Sequence, residues 1–239
     1  MTSSRDNHLL ETIKSVLVPV HPAGWTFIAI FAIVSTVLTL IWHPLGWIGL
    51  FVTLWCVYFF RDPDRITPLR EGLIVSPADG IVQRIVKCAP PGELDLGLAE
   101  RTRISIFLNV FDVHVNRIPI EGSISKIHYH SGAFFNAALD KASEENERNS
   151  IKITTPEGLT LGVVQIAGLV ARRILCDLKE GQSVKTGERF GIIRFGSRVD
   201  VYLPADATPM VIEGQRAIGG ETVLADMKSG ETQRLGTKH

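Results

Sequence analysis

Cysteine is scarce in this chain. Its three thiols, Cys56, Cys88 and Cys176, lie far apart, are odd in number and form no C-x-x-C pair. That pattern excludes a disulfide framework or a zinc knuckle and fits a reducing, cytoplasmic setting. Net charge is missing too, because 25 basic and 25 acidic side chains cancel, so no overall field recruits nucleic acid. There is no G-x-x-x-x-G-K-[ST] loop, no G-x-G-x-x-G turn after a strand and no H-E-x-x-H, so nucleotide-cradling and zincin chemistry lack their residues. The sharpest absence is local: Ser15 to Phe60 is a run of 46 residues without a single Asp, Glu, Lys or Arg.

What fills that run is apolar. Gly24 to Trp42 is 19 residues, which as a helix spans roughly 28 Å, close to the thickness of a bilayer core. Pro44 in "HPLG" suggests a break, after which Trp47 to Phe60 forms a shorter second segment, giving a hairpin of one full and one short or tilted helix. All four tryptophans, Trp25, Trp42, Trp47 and Trp55, fall here, with Trp25 and Trp42 at the ends of the first segment where interfacial rings belong. Lys14 precedes the hairpin and Arg61, Arg65 and Arg70 follow it, while its loop has no basic residue, which predicts both ends on the cytoplasmic side of a cell membrane. A cleaved signal peptide fits poorly, since the apolar part starts late, is long, and lacks a small-residue cleavage site before "RDPDR". A buried soluble hairpin is the other alternative, but so many uncharged residues are hard to hide in a chain of this size. Upstream, Leu9, Leu10, Ile13, Val16 and Leu17 trace one helical face suited to a membrane surface.

Residues 61–239 carry nearly all the charge and have the size of one ordinary domain. Short apolar runs separated by Gly turns predict a mainly β, antiparallel sandwich or barrel-like domain, α+β overall once the helical hairpin of residues 1–60 is added. "LIVSPADGIVQRIVK" reads as two strands around the turn Pro77-Ala78-Asp79-Gly80, and "RISIFLNVFDVHVNRIPIEGSISKIHYH" alternates without a break until Glu121-Gly122. Asn136 to Ser150 is the one polar, helix-forming stretch.

The step Gly196-Ser197 sits inside what otherwise reads as one strand, "GERFGIIRFGSRVDVYLP". Glycine there marks a bulge or a close approach to the backbone. It does not match the G-x-S-x-G elbow of hydrolases. A Gly-Ser step can also serve intramolecular chemistry: the Ser197 hydroxyl attacks the unshielded Gly196 carbonyl, and elimination of the resulting ester leaves a dehydroalanine that hydrolyses to a pyruvoyl group on a new N-terminus. Such a ketone can do the work of pyridoxal phosphate with no bound cofactor and no metal. Two further residues bear on that use. Asp79 occupies a turn where Asp ordinarily bonds local backbone, and His114 reads as a strand residue sharing a polar face with Asp112 and Asn116, a setting that suits an acid or base. His128 and His130 lack a third ligand and read as surface histidines.

"SPADG", "FDVHVNRIP", "FNAALDKASEENERN", "IAGLVARRI" and "RFGSRVDVYLP", in this order behind "HPAGW", resemble the compact prokaryotic form of the phosphatidylserine decarboxylase family, over about His21 to Met227. The resemblance implies a proenzyme that cuts itself between Gly196 and Ser197 into chains 1–196 and 197–239, which stay associated; a homodimer of such pairs is compatible with it. Ser197 would become the covalent pyruvoyl group, form a Schiff base with the serine amine of phosphatidylserine in the membrane, and release CO2 to give phosphatidylethanolamine. Asp79 and a histidine would assist cleavage, and a histidine beside the pyruvoyl would assist decarboxylation or reprotonation. The longer bacterial form carries H-x-x-H and LGST where this chain has His114-Val115-Asn116-Arg117 and Phe195-Gly196-Ser197-Arg198. His114 serving both steps, and a second group sharing the work, are therefore both open. Arg172 and Arg173 are candidates for the lipid phosphate, and Ser131, Phe134 and Asn136 for a substrate loop. Two alternatives use the same residues differently: a pyruvoyl enzyme for another serine-headed lipid or amine, and a membrane-anchored β-barrel binding module in which Ser197 is merely structural.

Overall fold

A computed structural model describes residues 18–132, 145–168, 173–194, 196–232 and 234–237. Phe134, Asn136 and Arg172 lie outside these residues, as does nearly all of the upstream amphipathic stretch. The chain divides into two compact units, Met1–Asp64 and Arg65–His239.

In the first unit a 3-10 turn at Pro22–Gly24 leads into helix α1 (Trp25–Ile41), and α2 (His43–Phe59) follows at once. Only Trp42 separates them, extended at φ −160° and ψ 118°. The expected break at "HPLG" is instead the first turn of α2. Pro44 stands where a helix has no use for an N–H, so it starts the helix rather than interrupting it. The second segment is consequently as long as the first, 17 residues each. The helices meet through small residues: a Cβ on Gly46 would fall 2.1 Å from Thr39 Oγ1, and one on Gly49 would fall 2.8 Å from Ser35 Cα. Ser35 Oγ donates to the Gly46 carbonyl at 3.1 Å across the same seam, the packing that membrane helices favour. Large apolar side chains such as Ile33, Leu40, Trp47 and Phe51 point outward. The span Pro22–Ile41 is long and apolar enough to cross a membrane, which suggests membrane association. Entry and exit lie side by side, since Val20 bridges Arg61 and Asp62 N–H donates to the Pro19 carbonyl at 2.7 Å.

The second unit is built from β1 (Leu73–Val75), β2 (Gly80–Cys88), β3 (Arg101–Leu108), β4 (Val115–Arg117), β5 (Gly122–His130), β6 (Arg148–Thr154), β7 (Thr160–Ala167), β8 (Ile174–Cys176), β9 (Ser183–Val184), β10 (Arg189–Ile193), β11 (Ser197–Tyr202), β12 (Thr208–Pro209), β13 (Arg216–Ala217) and β14 (Val223–Asp226). An eight-stranded antiparallel sheet in the order β13-β2-β3-β11-β7-β6-β5-β9 curls into a half-barrel, with smaller sheets β4-β10-β8 and β1-β14-β12 beside it. The fold is mainly β, as composition and periodicity predict.

Strand β11 is buried along its whole length. Ser197, Val199 and Val201 alternate onto the face of Ile104, Ile106, Leu108, Val163 and Ala167, the main hydrophobic core. Arg198, Asp200 and Tyr202 point to the other face, where Leu94, Leu96, Val164 and Ile166 pack around Tyr202. Arg198 Nε lies 2.9 Å from Asp200 Oδ1 in a buried ion pair. Burial pushes the Tyr202 phenol well above its usual pKa.

Two expectations about the second unit are corrected here. The alternating run from Arg103 to His130 is interrupted: β3 stops at Leu108 and the chain turns before β4. The turn is self-made, since the Asp112 carboxylate accepts from Asn109 N–H at 2.9 Å and Asn109 Oδ1 accepts from Phe111 N–H at 2.8 Å. His114 therefore precedes β4 rather than sharing a strand face with Asp112. The polar stretch ending at Ser150 does not finish as a helix, because Arg148–Ser150 belongs to β6, where pairing with β5 and β7 outweighs local propensity.

Candidate active site

The third correction concerns Gly196-Ser197, which is no flaw inside one strand. β10 belongs to the small sheet and β11 to the large one, so the chain changes sheets at this step. Gly196 has φ +65°, a left-handed conformation that costs a residue with a Cβ about 1–2 kcal/mol. A Cβ there would meet nothing within 4 Å, so the demand for glycine is conformational and not one of space. Ser197 then enters β11 between Leu108 of β3 and Ala167 of β7. Its side chain is fully buried, and its Oγ has no hydrogen-bond partner among the described residues. A buried unpaired hydroxyl costs about 1–3 kcal/mol, which a purely structural serine has no reason to bear.

His114 is brought to this step by the pairing of β4 with β10. Ile192 stands opposite Val115, and Ile193 N–H donates to the His114 carbonyl at 3.3 Å. The imidazole is wholly buried. Its Nδ1 lies 3.0 Å from the Asp112 carbonyl, an oxygen that can only accept, so Nδ1 carries the proton. Nε2 is left with its lone pair and accepts from Gly196 N–H at 3.3 Å. A neutral imidazole thus presents a basic nitrogen to the Gly196-Ser197 step. The turn below it is braced by Asp112, which is fully buried and paired with Arg216 of β13.

Asp79 sits at the head of β2. Ile81 and Arg198 both stand opposite Phe107, so Gly80 and Ser197 flank Leu108 from either side, with β2 and β11 two interstrand spacings apart, about 9.6 Å. Glycine is needed at 80 because a Cβ would collide with the Phe107 carbonyl at 2.2 Å. Asp79 also reaches beyond its own turn: Oδ1 accepts from Gly219 N–H at 2.8 Å and Oδ2 from Arg65 at 2.8 Å. Arg117, which stands where the longer form has its second histidine, is buried and donates to the Gly187 carbonyl at 3.0 Å.

Of the other candidates, Ser131 and Arg173 are exposed, directly after β5 and directly before β8. Arg194, two residues before Gly196, donates its N–H to the Arg173 carbonyl at 3.4 Å. Burial first, and then the like charge of Arg173, hold the Arg194 guanidinium below its ordinary pKa. Among the described residues no group of three His, Cys, Asp or Glu could hold a metal ion. Sequence reasoning used Arg65 only as a charge flanking the hairpin and passed over Arg194 and Gln165. Gln165 does leave a signal, as the polar residue in the apolar run of β7.

The pyruvoyl group implied by the resemblance would arise at residue 197, and the residues present fit it: an unpartnered buried hydroxyl, a left-handed glycine before it and a basic imidazole nitrogen at the step between them. The model of the phosphatidylserine decarboxylase family matches residues 52–225. A "Phosphatidylserine decarboxylase proenzyme" of Cereibacter sphaeroides is 57% identical over 95% of this chain and 98% of that protein. A protein of the same description from Paramagnetospirillum magneticum is 56% identical, covering 95% of both chains. A match across most of the β-rich unit and two such relatives along nearly the whole length lead to one conclusion: the chain belongs to the phosphatidylserine decarboxylase family.

Proposed function

We propose that the chain is a self-processing proenzyme that, once cut between Gly196 and Ser197, removes CO2 from phosphatidylserine to give phosphatidylethanolamine. The observation that carries this is the pairing of His114 Nε2 with Gly196 N–H at 3.3 Å beside the unpartnered Ser197 hydroxyl. In processing, Ser197 Oγ bonds to the Gly196 carbonyl carbon as the peptide C–N bond breaks, leaving an ester and a free amine on residue 197. Loss of the Ser197 α-proton to a base expels the Gly196 carboxylate. Water then displaces ammonia from the dehydroalanine, and chain 197–239 begins with a pyruvoyl group.

A pyruvoyl group at this position supplies an electron-poor carbonyl that condenses with an amine and draws off electrons as CO2 leaves. His114, buried and without charge at Nε2, is the base for processing and then holds the proton that returns to the substrate α-carbon. Asp79, ion-paired with Arg65 at the head of β2, assists processing from the same end of the sheet. Leu108 and Ala167 flank residue 197 and exclude water from it. Arg173 and Arg194 offer guanidinium groups to the phosphate or carboxylate of the lipid, and Ser131, Phe134, Asn136 and Arg172 are further candidates for contact with the substrate. The hairpin of residues 1–60 holds residues 61–239 at the cytoplasmic face, where the substrate concentration is highest.

Intact mass and a denaturing gel test this. Wild type is expected as two chains, 1–196 and 197–239, the smaller with a blocked N-terminus, and Ser197→Ala as one uncut chain with no decarboxylase activity. A full-length wild-type protein that still decarboxylates phosphatidylserine would sink the proposal.

A further inference from the structure

Among the buried polar side chains of the second unit is a short line of carboxamides. Asn149 Nδ2 donates to Gln165 Oε1 at 2.9 Å, and Gln165 Nε2 donates to Asn116 Oδ1 at 2.8 Å. All three side chains are buried, at 3%, 0% and 0% exposure for Asn149, Gln165 and Asn116. Asn116 Nδ2 has no partner among the described residues. A buried network that leaves one donor unsatisfied is a poorer core than packed hydrocarbon would be. Its position, not its contribution to stability, accounts for it.

Asn149 and Gln165 belong to β6 and β7 of the large sheet, and Asn116 belongs to β4 of the small one. The Gln165–Asn116 bond therefore ties the two sheets together. On its near side Gln165 is opposite Val199, with Ala167 opposite Ser197. Gln165 is thus the diagonal same-face neighbour of Ser197, within the ~7–8 Å that such pairs span. On its far side Asn116 is two residues from His114 and stands opposite Gly191 of β10, the strand that runs on to Gly196. The Gly196-Ser197 step is where the chain passes from one of these sheets to the other.

The geometry points to Gln165 as a positioning residue for self-processing: through Asn116 it holds the sheet that carries His114 in register with the sheet that carries Ser197, and Gly196 lies in the passage between them. This rests on the processing chemistry proposed above. Sliding one sheet against the other by about 1 Å would separate the imidazole from the reacting step, and a misplacement of that size costs on the order of 100-fold in rate. Asn149 sets the amide orientation, since its N–H occupies Gln165 Oε1 and leaves Nε2 to donate across the gap.

The test uses the full chain. Gln165→Met keeps an unbranched side chain of similar size and removes both bonds, and Asn116→Leu cuts the same tie from the other sheet. Each should slow the appearance of the 197–239 chain by about 10- to 100-fold. Each is then combined with Ser197→Ala, which holds the chain uncut, for amide hydrogen exchange. The Gly196 amide, bonded to His114 in the parent, should exchange at least 10-fold faster, while the amides of Val199 and Val201 keep their protection. Normal processing by either folded variant overturns the proposal. So does loosening of Val199 and Val201 together with Gly196, which would make Gln165 a general stabiliser. Failure of wild type to process at all would instead refute the underlying chemistry, and the exchange measurement separates the two.

Discussion

In the proposed mechanism His114 and Gly196 together govern whether the chain is cut, and each should fail differently when replaced. His114→Ala removes the basic nitrogen at the step and should slow processing by about 100- to 10,000-fold, the usual range for a positioned general base. A time course of the 197–239 chain on a denaturing gel reads this directly, and normal processing with normal decarboxylation would remove His114 from the site. Gly196→Ala meets no steric obstacle, so its effect is on the backbone. Holding alanine at φ +65° should cost about 1–2 kcal/mol, measurable by urea unfolding in the Ser197→Ala background. The same strain pulls the step away from His114, so processing should slow as well. A stability loss with unchanged processing would mean that the left-handed turn serves the fold alone.

At the scale of elements, the stretch from Gly92 to Asp95 is clasped to the sheet by charge. Glu93 accepts from Arg148 Nε of β6 at 2.8 Å and from Ser150 Oγ at 3.3 Å. Burial alone would raise the Glu93 carboxyl, but the bonds from Arg148, its own backbone and Ser150 outweigh it and hold the pKa below the ordinary 4.5. A carboxylate whose folded pKa is lowered stabilises the protein above its unfolded pKa and loses that contribution as pH falls through the folded value. The clasp is thus complete at neutral pH and is lost below about pH 4.5. Glu93→Gln should cost roughly 1 kcal/mol at pH 7 and flatten the fall in melting temperature on acidification. An unchanged pH profile would show that the clasp carries no stability. In the hairpin, Gly49→Leu should disrupt the seam against Ser35, and membrane flotation of the variant beside wild type would measure whether the paired helices are needed for association.

For the whole molecule the decisive point is that the proposed cut would fall at the beginning of a central strand. Strand β11 pairs with β3 and β7 over six residues on each side, Ser197 to Tyr202, and a cut before Ser197 would leave those pairings in place. The small chain also supplies β12, β13 and β14, each hydrogen-bonded into a sheet. The two chains should therefore co-purify at the mass of the uncut Ser197→Ala protein under native conditions and separate only on denaturation. Loss of the 197–239 chain during native chromatography would overturn this. The proposed processing would need no unfolding, because the bond it breaks lies in the passage between sheets and not in a ladder.

Much of this could be read from the chain alone. The uncharged run to Phe60 dictated a helical hairpin, since apolar side chains without charge have few other stable arrangements, and alternation with Gly turns dictated a β-rich second unit. The identities of Ser197, Gly196 and His114 suggested the chemistry proposed for them. Tertiary contacts alone decided the rest. Pro44 suits the first turn of a helix as well as a break, so only packing against α1 determines the length of α2. A continuous alternating pattern does not reveal that β10 and β11 lie in different sheets, because both sheets bury the same kind of residue. The partners of Asp79, the tautomer of His114 and the link from Gln165 to Asn116 join residues far apart in sequence, and these distances come into being only when the two sheets close on one another.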